Sequence, residues 1–322
     1  MKFTLATKLE KDSRMLRDAF KNTLDELMEK DENVCYLDAD LMGCLGTASL
    51  ASKYPDRIIN CGIAEANMIG VAAGMANVGK IPYVHSFGPF ATRRTMDQVF
   101  MSLAYAKLSA KIYGSDPGVC AAFNGGTHMP FEDMATMMAI PKMVCIDSTD
   151  YAMTAEVTRK IKNIDDTPVY VRLVRKEAVK IYEDDLDIEI GKGIVLKEGT
   201  DVTIIASGIM VAEALKACDT LKSEGISAKV IDMFTWKPID EELIIKSAKE
   251  TGAIVTCENH NTLCGLGSAV ANVVTANVPV PMEKVGVHDE FGQVGPENFL
   301  REEYNLTAEE IVKATKKVIS RK

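Results

Sequence analysis

The sequence is short of the features that would send a chain into a membrane or out of the cell. No apolar run approaches the ~20 residues that span a bilayer, and Met1-Lys2-Phe3-Thr4 lacks the positive-then-apolar-then-small order of a secretory signal, so a cytoplasmic location is expected. Its eight cysteines, at positions 35, 44, 61, 120, 145, 218, 257 and 264, include no C-x-x-C pair, which excludes the common zinc and dithiol layouts. Several lie in strand-like runs such as Val144-Cys145-Ile146 and read as mostly buried free thiols. No basic stripe or tail gathers the 37 Lys and Arg among the 46 Asp and Glu, and the net charge is -9. Neither nucleic acid nor a membrane is therefore expected as a partner. Internal repeats and low-complexity tracts are absent too. Gly265-x-Gly267 follows a strand-like run but lacks the third glycine and the later acid of a dinucleotide fingerprint.

What is present is an ordinary globular composition, 47% hydrophobic and 26% charged, spread over 322 residues. That length exceeds what one core usually fills, so two domains are expected. In the first, an amphipathic helix from about Ser13 to Lys30 leads into Val34-Cys35-Tyr36-Leu37-Asp38, a buried strand emptying into carboxylates. Strands near 57–60, 81–84, 143–146 and 169–173 then alternate with helices over 64–77, 96–106 and 152–161. Between Lys176 and Thr200 the chain turns acidic and loses helical period, as at an interdomain crossing. Strands at 202–206, 228–232 and 253–256 alternate with helices over 211–225, 240–251 and 267–277. The expected fold is two consecutive parallel-sheet α/β domains, residues 1–180 and 193–322, joined by a linker at 181–192.

The most informative stretch is Asn60-Cys61-Gly62-Ile63-Ala64-Glu65-Ala66-Asn67-Met68, with one carboxylate at the mouth of a small-residue, apolar helix. A buried carboxyl there favours its protonated form and suits sharing a proton with a basic ring nitrogen. On spacing alone, a first-turn Glu capping the helix at the positive end of its dipole is the preferred reading.

Gly62-Ile63-Ala64-Glu65-Ala66-Asn67-Met68, with Asp38-Ala39-Asp40-Leu41 before it and Ser86-Phe87-Gly88-Pro89-Phe90 after it, resembles the pyrimidine-binding domain of the transketolase family. Thr235-Trp236-Lys237-Pro238 and the run from Glu258 to Ser268 resemble that family's C-terminal domain, so the likeness covers nearly the whole chain. It implies thiamine diphosphate as cofactor. Glu65 would hydrogen-bond N1′ of the aminopyrimidine, Phe90 would stack on that ring with Phe87 beside it, and Asp40 and Leu41 would lie against the cofactor. His128, in Gly126-Thr127-His128, would steady a substrate oxygen, while Arg175 and Arg17 fall where the family keeps arginines for a sugar phosphate. His85 is a further candidate, and His260 and His288 are assigned structural roles.

Departures from the family's pattern bear on the substrate. An aspartate expected for a substrate hydroxyl appears as Asn124, a second histidine as Asp116, and a phosphate-side serine as Cys44. Losing a His and a Ser while gaining an acid weakens a phosphate grip, so the sugar is expected to differ from an ordinary pentose or hexose phosphate. The Gly-Asp-Gly segment that holds the diphosphate's metal in this family is missing, and no metal ligands are assigned here. The resemblance therefore implies the C-terminal subunit of a split transketolase, which moves a two-carbon ketol unit from a ketose to an aldose. A separate N-terminal, diphosphate-binding subunit would hold Mg2+ or Ca2+, and two copies of each chain would form a heterotetramer. The alternatives are a 2-oxo acid dehydrogenase β subunit and a non-catalytic subunit.

Overall fold

The computed structural model describes all 322 residues, Met1–Lys322. They form two compact units, Met1–Pro117 with Thr136–Glu189, and Gly118–Ala135 with Ile190–Lys322.

In the first unit, strands β1 (Val34–Asp38), β2 (Ile58–Asn60), β3 (Ile81–Phe87), β4 (Lys111–Ser115), β5 (Val144–Asp147) and β6 (Val169–Leu173) lie in the order β5-β6-β4-β3-β1-β2. Every pairing among them is parallel. β1, β4, β5 and β6 are buried at every position, which is why they read as continuous apolar runs instead of alternating ones. Helices Leu16–Lys30 and Tyr151–Ile161 pack together, and Phe20 sits 4.3 Å from the ring of Tyr113 and 6.0 Å from that of Tyr36. The buried hydroxyls of Tyr83 and Tyr113 are both satisfied at Thr158, at 2.9 and 2.8 Å.

The strand order positions the site. β1 connects outward to the edge strand β2, whereas β3 connects the other way to β4, so the chain diverges beyond the carboxyl ends of β1 and β3. A parallel sheet opens a crevice at such a switch point. The segments leaving these strands are Ala39-Asp40-Leu41 and Gly88-Pro89-Phe90, and β2 beside them runs on to Glu65.

One expectation for this unit needs correction. The helix read over 96–106 is a short α-turn, Met96–Gln98, continued as π-helix by Val99–Tyr105. The acidic stretch from Lys176 contains the change of unit between Glu189 and Ile190, and its first part is bridged antiparallel to the N-terminal segment, Lys11 to Val179, Leu5 to Tyr182 and Lys2 to Asp187. Asp150 accepts from the backbone N–H groups of Ile181 and Tyr182, each at 2.8 Å, and also caps helix Tyr151–Ile161 through Met153 N–H. Ile181, Tyr182 and Leu186 are buried, while Asp184 and Asp185 face water.

In the second unit, β7 (Ile194–Lys197), β8 (Val202–Ala206), β9 (Ala228–Asp232), the short β10 (Thr235–Lys237), β11 (Ile254–Asn261) and β12 (Met282–Val287) alternate with helices Met210–Ser223, Glu241–Thr251, Leu266–Asn277 and Ala308–Ile319. The sheet order is β12-β11-β8-β9-β7, parallel except for the antiparallel edge strand β7. β7, β10 and β12 were not expected as strands. Among the cysteines, 35, 120, 145, 218 and 257 are buried free thiols, as expected, whereas 44 and 264 are exposed.

Candidate functional site

Glu65 opens helix Glu65–Asn77 and is only 2% exposed. Its hydrogen bonds run across to the strand β3 side and not back to its own helix. Ser86 donates to Oε1 at 3.2 Å, and Arg94 Nη1 donates to both carboxylate oxygens at 2.9 Å. The Arg94 guanidinium lies over the ring of Phe90, 4.1 Å from its centroid. Phe87 meets Phe90 edge to face at 6.3 Å. Glu65 is thus half of an ion pair here, and its partner, Arg94, is a site residue that the sequence reading does not assign.

Behind this group, a buried polar network ties together the carboxyl ends of β1, β3 and β4. Asp38 pairs with His85 in register, and its carboxylate receives Tyr36 OH at 2.5 Å, His85 Nδ1 at 2.9 Å and the backbone N–H of Leu41. His85 Nε2 meets Ser115 Oγ at 3.0 Å. All of Tyr36, Asp38, His85 and Ser115 are fully buried, so the Ser-His-Asp chain has no access to a substrate, and it fixes the loop that carries Asp40 and Leu41. Asp40 takes a left-handed φ of 65°, a conformation Asp tolerates better than most residues. Its carboxylate accepts from Asn60 Nδ2 at 2.9 Å.

A second cluster adjoins Phe87. Arg175 stacks over that ring at 5.0 Å and donates through Nε at 2.8 Å, and through Nη2, to Asp116 Oδ2. Burial opposes the charged guanidinium, but Asp116 and the nearby Cys44 thiol hold Arg175 above the ordinary arginine value. Arg17 Nη1 donates to the Cys44 carbonyl at 2.8 Å, while its Nε is buried with no hydrogen-bond partner. The structure so brings together Glu65, Phe90, Phe87, Arg175, Asp116, Cys44 and Arg17.

Asn124 and His128 belong to the second unit. Asn124 is exposed and His128 half-buried, with Thr127 Oγ1 2.8 Å from His128 Nδ1. Their loop is anchored within that unit. Val119 N–H donates to Asn259 Oδ1 at 3.0 Å, and Asn261 N–H to the Phe131 carbonyl at 2.9 Å. A Cβ on Gly126 would lie 2.2 Å from the Gly292 carbonyl oxygen, so only glycine allows that approach. His260 is fully buried, consistent with the structural role expected of it.

The dinucleotide fingerprint is ruled out physically as well. At the start of helix Leu266–Asn277 the anion position is filled by the chain's own Glu258, which accepts from Leu266 N–H at 2.6 Å and Gly267 N–H at 2.9 Å. No group of three or more His, Cys, Asp or Glu side chains forms a metal site, and no helix is long and apolar enough to cross a membrane.

Residues 12–180 match the transketolase pyrimidine-binding domain and residues 191–311 the transketolase C-terminal domain. The chain is 48% identical to the 6-deoxy-6-sulfo-D-fructose transketolase subunit SqwH of Clostridium sp. (strain MSTE9), covering 95% of both chains. It is 44% identical to a putative transketolase C-terminal section of Methanocaldococcus jannaschii, covering 92% of this chain and 94% of that one. A solved split gene transketolase, an inactive beta4 tetramer, superposes with a TM-score of 0.89 at 42% identity, covering 95% of this chain and 98% of the other. These likenesses define a class, the α/β chains that join a transketolase pyrimidine-binding domain to a transketolase C-terminal domain. The chain belongs to the transketolase family, and within it to the subunits that carry the pyrimidine-binding and C-terminal domains as a separate polypeptide. The transketolase reading is thereby favoured over the 2-oxo acid dehydrogenase one, and the family implies thiamine diphosphate as cofactor.

Proposed function

We propose that this chain, joined by a diphosphate-binding subunit, transfers a two-carbon ketol unit from a ketose with an anionic end to an aldehyde acceptor. The observation that carries the reading is the cradle at the sheet's switch point, where a nearly buried carboxylate, Glu65, pairs with the Arg94 guanidinium that lies over the face of Phe90. A flat, nitrogen-bearing ring fits that cradle. Thiamine diphosphate, when bound, supplies the acidic carbon and the electron sink that cleavage of a carbon–carbon bond needs.

Glu65 would hold the proton at the pyrimidine N1′, Phe90 would stack on the ring with Phe87 beside it, and Asp40 and Leu41 would back it. On the strength of its sequence segment, His128 would donate to the substrate oxygen on which charge develops. Arg175 and Arg17 would take the anionic end, with Asp116, Cys44 and Asn124 setting which end is accepted. Relatives are named for 6-deoxy-6-sulfo-D-fructose and for apulose 4-phosphate, which supports a sulfonate or phosphate there. The partner would hold Mg2+ or Ca2+, and the assembly would be a heterotetramer in the cytoplasm, serving carbohydrate metabolism.

In a mixture with such a partner, Glu65→Gln should lower two-carbon transfer at least about a hundredfold while light scattering reports an unchanged assembly. Transfer at the wild-type rate would reject the reading.

A further inference from the structure

We propose that Arg94 is a latch that competes with the cofactor's pyrimidine for the Phe90–Glu65 cradle, and that it must swing outward before the ring can enter. This rests on the reading of that cradle as the pyrimidine site.

The geometry carries the inference. An aminopyrimidine offers a flat π face and nitrogen atoms able to share a proton with a carboxylate. The Arg94 guanidinium offers the same two features in the same place. Its Cζ lies over the Phe90 ring, 4.1 Å from the centroid, and one of its nitrogens donates to both oxygens of Glu65. A guanidinium and a ring cannot both lie on that face of Phe90 while bonding to one carboxylate that is 2% exposed.

Release is easy to achieve. The Arg94 side chain is 45% exposed, so its charged end reaches water by changes of side-chain rotamer alone. Ser86 also donates to Glu65 Oε1 at 3.2 Å, a bond independent of Arg94 that would keep the carboxylate oriented while the cation is exchanged for the ring. The latch acts as a conformational tax: the measured dissociation constant is the intrinsic one divided by the fraction of molecules with Arg94 swung out.

The test is calorimetric titration of the wild-type, Arg94→Ala and Arg94→Lys chains with thiamine diphosphate, each mixed with the diphosphate-binding partner and magnesium. Arg94→Ala should bind the cofactor roughly three- to thirtyfold more tightly. Arg94→Lys should lie between the two, because an ammonium neither stacks as a plane nor presents a guanidinium's fixed fork. It also keeps a positive charge, should the Ala variant fold poorly. Equal or weaker binding by both variants overturns the latch. The underlying reading is checked separately in the Arg94→Ala background, where Glu65→Gln must weaken binding if Glu65 holds the ring. Unchanged binding there sinks the pyrimidine site and the latch with it, whereas weakened binding beside unchanged Arg94 variants sinks the latch alone.

Discussion

Replacing Asp116 with Asn should make the enzyme bind an anionic ketose more tightly. Asp116 holds a left-handed φ of 56°, a conformation Asn adopts at least as readily as Asp, and its backbone N–H still donates to the Leu173 carbonyl at 3.0 Å. The exchange is therefore nearly isosteric and removes one negative charge from beside Arg175. Two unit charges about 6 Å apart at an effective dielectric of about 20 repel by about 3 kcal/mol. Water at the open side of Arg175 screens most of that, leaving about 1 kcal/mol. The Michaelis constant for a phosphorylated or sulfonated ketose should fall about fivefold, with little change for an uncharged ketose. Folding should weaken in step: the charge-assisted hydrogen bonds to Asp116 contribute about 1–2 kcal/mol before discounting for the partial exposure of Arg175. Steady-state kinetics of the reconstituted pair with both kinds of ketose make the comparison. An unchanged or raised constant for the anionic sugar would show that Arg175 does not meet the anion, and an equal change for both sugars would point to a general distortion.

A Cβ at Gly265 would lie 1.9 Å from Glu258 Oε2 and 2.6 Å from His260 Nδ1. Gly265→Ala should therefore displace the carboxylate that caps helix Leu266–Asn277, lowering stability by about 3 kcal/mol in a denaturant titration; a loss within ~0.5 kcal/mol would contradict that packing. Lys111 is 1% exposed, and burial lowers its pKa to about 8, below the ~10.4 of an unfolded lysine. Between those values the unfolded chain binds more protons than the folded one, so wild-type stability rises with pH there. Lys111→Met should be the more stable form at pH 7, and its advantage should shrink as the pH climbs through 8 toward 10. Parallel stability profiles for the two chains would refute the depressed value.

The elements that were legible were those whose side chains carry the pattern themselves. β1 matches the expected Val34–Asp38, because a central parallel strand buried on both faces must be apolar throughout. β12 escaped because its first three residues, Met282, Glu283 and Lys284, are only half-buried, and β7 because it is a short antiparallel edge strand of four residues. The bridges near Tyr182 are not legible in the sequence, because isolated pairings to Lys2, Leu5 and Lys11 leave no periodic trace and carboxylates dominate the composition there.

Glu65 is visible as the one carboxyl in an apolar, small-residue helix, but spacing alone favours a capping role, and only the family resemblance points to a site role. Its partners Arg94 and Ser86, 29 and 21 residues further along, are set by the sheet topology. The same holds for Asp38, His85 and Ser115, which meet only because β1, β3 and β4 are neighbours in register. A carboxylate closing a fully apolar strand was the available signal for Asp38.

The most direct test of the two-chain site is a two-carbon transfer assay of this chain alone, the diphosphate-binding partner alone and the two mixed, with thiamine diphosphate, magnesium and a panel of anionic and neutral ketoses. Transfer should appear only in the mixture and scale with whichever chain is limiting. Transfer by this chain alone, or a mixture that decarboxylates 2-oxo acids and acts on no ketose, would contradict it.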